Sequence, residues 1–369
     1  NFIKKDSFPY RSSTGEMIDV GDFDRVLRAA EISADIKGFE QRKKESEAKG
    51  RLRGLGLCYY IESILGDPSE EAKVVFEEDG GVKIFVGTQS NGQGHETVFA
   101  QFLSDQTGIP TEKIIVVQGD SDLIPRGGGT GGSRSVTVQN NATLATVEKI
   151  IQSFSQYLSE KLEVDVEDIG FDDTSFRIKG SNYSPNVLEV ANMACEDQRF
   201  DLLTHSAKAT LDARSFPNGA HFAEVEIDPD TGFVQVVRYS VVDDFGNLIN
   251  PMLAEGQVHG GVAQGIGQAL YEHVVFDKEG QLLTATFMDY GMPRAQDLPY
   301  YKFETECVPS TANIMGMKGC GEAGTVGALA AVANAVQDAL WEIGIQQVDM
   351  PFTSEKIWSM INSSNLAAE

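Results

Sequence analysis

Two stretches of the sequence spell the same order of elements, and that recurrence limits the architectures open to the chain. The first, residues 72–120, runs AKVVFEEDGGVKIFVG, TQSNGQGHE, TVFAQFLSDQTG and KIIVVQGD. EEDGG between apolar runs is a hairpin signal. Val98, Phe99, Phe102 and Leu103 recur on one helical face. The reading is strand, strand, glycine-bearing loop, helix, strand. The second stretch, residues 221–276, runs HFAEVEIDPDTGFVQVVRYSVVDD, FGNLINPMLAEGQVHGG and VAQGIGQALYEHVVF. DPDTG places Pro and Gly where a hairpin turn needs them. A loop, a short apolar helix and a strand in YEHVVF complete the same unit. Identity between the copies is slight, so the match is architectural. It predicts an α+β fold of two related domains, each a mixed β-sheet layered with helices, over 51–195 and 196–369. Residues 1–50 read as a helical approach segment, and GCGEAGTVGALAAVANAVQDALWEIG as a closing helix.

Composition narrows the partners. The formal net charge is −25, and such a surface repels nucleic-acid phosphates and anionic lipid. No apolar run reaches the roughly 18 to 20 residues of a membrane span. No secretory signal opens the chain, and its start at Asn1 suggests a processed chain or part of a longer one. Cys58, Cys195, Cys307 and Cys320 form no C-x-x-C pair, which argues against a disulfide framework, a structural zinc and the usual iron–sulfur spacing. A reducing cytoplasm is the expected compartment. The five histidines show no H-E-x-x-H pattern.

Acidity does not exclude a bound anion, because successive backbone N–H groups can cradle one. GGGTGGSRS, residues 127–135, has the composition of such a nest. Ser133 and Ser135 add hydroxyls, and Arg134 adds a fork of donors suited to phosphate. A flexible linker has similar composition, but this run sits between ordered-looking strands. NGQGHE sets Gly92 and Gly94 around Gln93 at a strand-to-helix corner, and lacks the third glycine of a dinucleotide fingerprint. In EGQVHGGVAQGIGQAL, Gly260, Gly261, Gly265 and Gly267 read as close helix packing. Gln257 can donate and accept toward one flat heterocycle. Glu322, in KGCGEAGT, is either a helix-start glutamate favoured by the dipole or a carboxylate whose burial makes it a base. Cys320 raises the rival of a thiolate nucleophile at a helix start, unsupported by any histidine nearby in sequence.

Together these motifs resemble one family. VGTQSNGQGHETVFAQ, GDSDLIPRGGGTGGSRS, INPMLAEGQVHGGVAQGIGQALYE and KGCGEAGTVGALAAVANAV come in the order found in the C-terminal part of the molybdenum-binding subunit of the xanthine dehydrogenase, aldehyde oxidase and carbon monoxide dehydrogenase family. The resemblance covers nearly all of the chain. It implies a pyranopterin molybdenum cofactor, in bacteria often the cytosine dinucleotide form. It assigns Gly92, Gln93, Gly94, His95, Gln257, Gly319 and Gly321 to cofactor binding, and Gly132, Ser133, Arg134 and Ser135 to its phosphates. It makes Glu322 the catalytic base beside molybdenum, which is held through the pterin dithiolene and not by protein ligands. The implied reaction is hydroxylation of an electron-poor carbon with water as the oxygen source. Electrons then pass to iron–sulfur and usually FAD subunits. The family's other half carries an F-G-G loop, absent here. The resemblance therefore implies no turnover without that N-terminal half and the partner subunits. The alternative classes are a non-catalytic assembly module, and a nucleotide or phosphate-ester enzyme without molybdenum.

Overall fold

The structure, a computed structural model, describes the backbone of residues 1–368 and side chains through Ser363. The chain opens with a small ribbon, β1 (Tyr10–Arg11) and β2 (Met17–Ile18), then helices α1 (Phe23–Ser33) and α2 (Phe39–Glu47). β3 (Leu52–Ile61), β4 (Ser69–Phe76) and β5 (Val82–Val86) follow, then α3 (His95–Thr107), β6 (Ile114–Val117) and the long α4 (Ser135–Leu162). A second ribbon, β7 (Ile169–Phe171) and β8 (Phe176–Ile178), and α5 (Val187–Glu196) lead to β9 (Thr204–Thr210), β10 (Asn218–Ile227) and β11 (Val234–Asp244). The chain closes with α6 (Pro251–Leu270), β12 (Tyr301–Thr305), α7 (Ala323–Trp341) and α8 (Ser354–Ala368).

Two four-stranded mixed sheets result, in the orders β6-β5-β4-β9 and β12-β11-β10-β3. The recurrence in the sequence is a recurrence in topology. β4 and β5 form an antiparallel hairpin, α3 crosses over, and β6 joins β5 in parallel. β10 and β11 repeat this with α6 as the crossover and β12 as the parallel strand. In the first sheet the alternate residues Val82, Ile84 and Val86 are buried, meeting Phe99 and Leu103 of α3 and Ile150 and Phe154 of α4. β10 is buried along almost its whole length, because its sheet is covered on both faces. α6 and α7 cover one face; Val26 and Ala30 of α1 pack against Ala220 and Phe222 on the other. The first 50 residues are thus an outer layer of the second sheet. They are held by Val26 and Ala30, and by Arg42, which reaches the buried Glu224 at 2.6 Å.

Three expectations are corrected. The sheets do not follow the boundaries 51–195 and 196–369: β3 pairs with β10 and β9 with β4, so each lobe contains a strand from across the boundary. Gly54 and Gly56 show why β3 belongs with α7. A Cβ on Gly56 would fall 2.0 Å from the Ala331 carbonyl oxygen, and one on Gly54 the same distance from that of Ala335. Only glycines on that strand face let the alanine-lined helix rest on the sheet. Gly56→Val is expected to cost about 1–3 kcal/mol or more through forced separation of strand and helix. A thermal melt against the unsubstituted chain measures it.

Second, helix α6 starts at Pro251, inside the segment read as a loop, with Asn250 capping it by accepting from the Leu253 N–H at 3.0 Å. Gln257 is therefore a helical residue. Third, YEHVVF is not the closing strand. Val274 and Phe276 are 56% and 59% exposed, and the segment makes only an isolated bridge from Phe276 to Leu282. The parallel strand comes later, at 301–305, where Tyr301 registers with Tyr239.

Candidate functional site

The loops that follow the β5 and β11 strand ends meet the glycine loop at 127–135 and the run at 317–322 around one cavity of about 560 Å³. Four helices begin on its wall. His95 opens α3, Ser135 opens α4, and Asn250 and Glu322 are the N-caps of α6 and α7; all four residues line the cavity. The first turn of a helix leaves N–H groups without intrahelical partners and carries the positive end of the helix dipole. Four such ends give an acidic chain an interior region suited to a bound anion. The walls are also bare. Gly92, Gly131, Gly256 and Gly260 line the cavity, and a Cβ on any of them would meet no protein atom within 4 Å.

Of the residues expected at a cofactor site, Gly92, Gln93, His95, Gly132, Ser133, Ser135, Gln257, Gly319, Gly321 and Glu322 line this cavity, and Gly94 and Arg134 do not. Gly94 caps α3 at φ 79° with the Leu253 side chain packed against it, so it turns the chain and touches nothing in the cavity. Arg134 departs most from expectation. Its guanidinium is 2% exposed and points away from the cavity, 2.8 Å from the equally buried Glu70. It also donates to the carbonyls of Asp67 (2.7 Å), Gly129 (2.9 Å) and Ser69 (3.2 Å). A fork spent on one carboxylate and three carbonyls cannot also reach a phosphate. Arg134 shapes the glycine loop from behind, and the Gly128 N–H donates to the same Glu70 (2.8 Å). Upstream, Gly127 lies against Gly87 so closely that a Cβ would meet its carbonyl oxygen at 2.1 Å.

Ser133 joins the two lobes. Held at φ 54°, it donates its hydroxyl to Glu322 Oε2 (3.1 Å) and accepts from the Glu322 backbone N–H (3.0 Å). Its backbone carbonyl leaves no room for a side chain at Gly319, where a Cβ would sit 2.0 Å away. From the other side Gln257 donates its amide to the Gly321 carbonyl at 2.7 Å. The run ahead of Glu322 is thus clamped between the 127–135 loop and α6, and the Glu322 carboxylate is exposed to the cavity. Glu322 is the helix-start residue that one reading of the sequence made it, and the burial that the other reading called for is absent, because the residue is exposed.

His95 is buried against Phe99, ring centroids 5.0 Å apart, and its Nδ1 has no hydrogen-bond partner. Burial pushes its pKa down, which keeps the ring neutral and the orphaned nitrogen available to a ligand. Gln93 folds its amide oxygen back onto the Asn91 N–H, which stiffens the corner. Gly261 and Gly265 behave as packing glycines, with α7 backbone or Ala328 against them, and Gly267 packs on Pro293; Gly260 faces the cavity instead. Cys320 is no thiolate: burial, then the charges of Asp243 and Glu62, push its thiol up to about 12.

Lys318, Asn250 and Glu62 went unread in the sequence. Lys318 lines the cavity, and its ammonium pairs with Asp244 at 2.6 Å, both side chains fully buried. Asn250 before Pro251 is a cap signature that was legible. Glu62 had no local signal. It follows β3, stands outside the residues that line the cavity, and has both carboxyl oxygens buried without a hydrogen-bond partner.

A family model described as the molybdopterin cofactor-binding domain matches residues 29–299. The chain belongs to this family. Among curated proteins it is similar to the carbon monoxide dehydrogenase large chain of Hydrogenophaga pseudoflava, 32% identical over 385 residues covering 100% of this chain and 48% of that one. It is also similar to the nicotine 6-hydroxylase large subunit of Paenarthrobacter nicotinovorans, 35% identical with 95% and 45% covered. Among solved structures, a Cu,Mo-CO dehydrogenase superposes with a TM-score of 0.90 at 30% identity, covering 99% of this chain and 49% of that one. Quinoline 2-oxidoreductase from Pseudomonas putida 86 gives 0.89 at 30% identity, with 97% and 48% covered. The chain spans about half the length of the curated relatives it matches.

Proposed function

We propose that this chain is the cofactor-binding, base-bearing half of a molybdenum hydroxylase that oxidises an electron-poor carbon of a heterocycle, an aldehyde or carbon monoxide. The observation that carries the reading is the convergence on one cavity of four helix starts, side-chain-free glycine walls and the Glu322 carboxylate.

The residues fit a flat, anionic pterin. Gly92, Gly131, Gly256 and Gly260 leave open exactly the space their Cβ atoms would take. The orphaned Nδ1 of His95 needs a partner. The N–H groups at the starts of α3 and α4 suit phosphate oxygens. When bound, the molybdenum–pterin group supplies two-electron oxidation with water as the oxygen source. The chain's own work is to orient that group and to move a proton. Ser133 and the α7 backbone hold Glu322 at the cavity edge, where its carboxylate acts as general base. The N-terminal half of the molybdenum subunit closes the site over the substrate, and partner iron–sulfur and FAD subunits carry the electrons away.

The test is loading. The chain, assembled with the rest of its molybdenum subunit, is expected to hold molybdenum and pterin in equal amounts. Mass spectrometry of the released pterin decides between the mononucleotide and the cytosine dinucleotide. Gly260→Leu points a side chain into the cavity from a helix position where it meets no protein atom. It should lower cofactor content about tenfold or more while the melting of the cofactor-free chain is unchanged. A folded chain free of both molybdenum and pterin would instead support an assembly module.

A further inference from the structure

The two lobes have separate cores. Val82, Ile84, Phe99 and Phe154 belong to one apolar cluster, and Ala223, Val241, Val262 and Val332 to another. Among the described residues, no helix or strand of one lobe packs extensively on a helix or strand of the other. The chain crosses between them twice, at residues 62–68 and 211–217, and these segments run antiparallel and bond to each other. The Glu62 N–H donates to the Pro217 carbonyl (2.9 Å), the Ile64 N–H to that of Ser215 (3.3 Å) and the Leu211 N–H to that of Pro68 (3.0 Å). Separate cores joined by a narrow strap turn against each other unless something else ties them.

Two ties do so at the cavity wall, and each joins equivalent elements. The sheet β6-β5-β4-β9 with α3 and α4 corresponds to β12-β11-β10-β3 with α6 and α7. α4 covers β4 and β9 as α7 covers β10 and β3. The start of α4 meets the start of α7 through Ser133 and Glu322. α3 meets the start of α6 through Gln101, whose Oε1 accepts from Asn250 Nδ2 at 2.8 Å. The Asn250 amide is thus divided: its oxygen caps its own helix, and its nitrogen is spent on the other lobe. Leu253, one turn into α6, packs against Gly94 at the start of α3. Between the ties, Gly92 and Gly131 line the cavity from one lobe, and Gly256 and Gly260 from the other. A ligand held between walls from both lobes fastens the lobes together.

We propose that the cavity is a hinged clamp and that Gln101 is a positioning residue of its latch. The lobes turn about the strap of 62–68 and 211–217. The Gln101–Asn250 and Ser133–Glu322 ties hold them closed, and a ligand enters among the four helix starts when the ties release. Closure sets the distance of α3 and α4 from α6 and α7, so Gln101 acts through Asn250 and the position of α6. That the occupant is the pterin cofactor rests on the function proposed above; the latch itself does not.

Hydrogen exchange at single amides of the full chain, free of cofactor, tests the latch. Gln101→Met keeps the length of the side chain and removes the acceptor. It should speed exchange of the Glu322 N–H, which belongs to the other tie, about tenfold, the worth of one hydrogen bond. Amides within β5 and β10 should be unchanged, because each sheet lies inside one lobe. Gln101→Glu keeps an oxygen for Asn250 and should restore the unsubstituted rate. Faster exchange confined to α3 and the first turn of α6 would mean local fraying, and faster exchange through both sheets a general loss of stability. Either result overturns the proposal, as does Gln101→Glu behaving like Gln101→Met. In the assembled, cofactor-loaded enzyme, Gln101→Met should release pterin about tenfold faster, read by pterin fluorescence, and an unchanged release rate also overturns it. If the chain takes up no pterin at all and yet passes the exchange test, the cofactor reading fails and the hinged clamp stands.

Discussion

Glu322→Gln, in the enzyme assembled with its cofactor, is expected to lower kcat by about 10²–10⁴-fold or more, the contribution of a positioned general base. The substitution is sterically mild. Glutamine keeps an oxygen that can accept the Ser133 hydroxyl at 3.1 Å, and the backbone N–H still donates to Ser133. The glycine run ahead of α7 stays held by Gln257, so cofactor content should be unchanged. KM should change little, since the lost interaction is with a proton in flight and not with bound substrate. The measurement is turnover per bound molybdenum. Preserved molybdenum and pterin with near-normal turnover would remove Glu322 from the chemistry.

The second large effect concerns the ion pair beneath the cavity floor. Lys318 Nζ lies 2.6 Å from Asp244 Oδ2, with no solvent exposure on either side chain. Asp244 also accepts from Asn218 Nδ2 (3.2 Å) and from the N–H groups of Gly246 (3.0 Å) and Val308 (2.8 Å). It thereby ties β10, the loop after β11 and the chain after β12 together. Lys318→Met leaves a buried carboxylate without its cation and should destabilise the chain by about 3–5 kcal/mol. The double change Lys318→Met with Asp244→Asn removes the stranded charge and should recover part of that loss, because an amide oxygen in the Oδ1 place can still accept from the Gly246 and Val308 N–H groups. Thermal melts of the two variants against the unsubstituted chain decide this. Equal losses in both would mean that packing, and not the buried charge, sets the cost.

Much of the fold was legible. The hairpins at EEDGG and DPDTG, the helical faces of α3 and α7 and the repeated unit follow from local periodicity and turn chemistry, which act over a few residues. Partner strands are chosen across long separations, and there local reading failed. Nothing within RLRGLGLCYY says that its glycines await a helix some 280 residues later; only the contact of Gly54 and Gly56 with α7 does. YEHVVF has strand composition, yet no sheet edge is offered to it.

The candidate site divides in the same way. The glycine motifs, Ser133, Gln257 and Glu322 were marked by sequence because a backbone that must approach a ligand needs glycine, and a base needs a carboxylate. Which of them faces the cavity was set by tertiary packing. Arg134 has the chemistry of a phosphate ligand, but Glu70 lies behind it and a buried carboxylate without a cation is costly, so the guanidinium turns inward. The chain after β3 carries no motif at all and meets the glycine loop only in the folded chain, where the Leu65 N–H donates to the Gly132 carbonyl at 2.8 Å. The sequence by itself determined the two hairpins, the helices α3 and α7, the glycine loops and the family. The exchange of strands between the sheets, the convergence of four helix starts and the pairing of buried charges were decided by the tertiary structure, because burial and close approach exist only once distant segments have met.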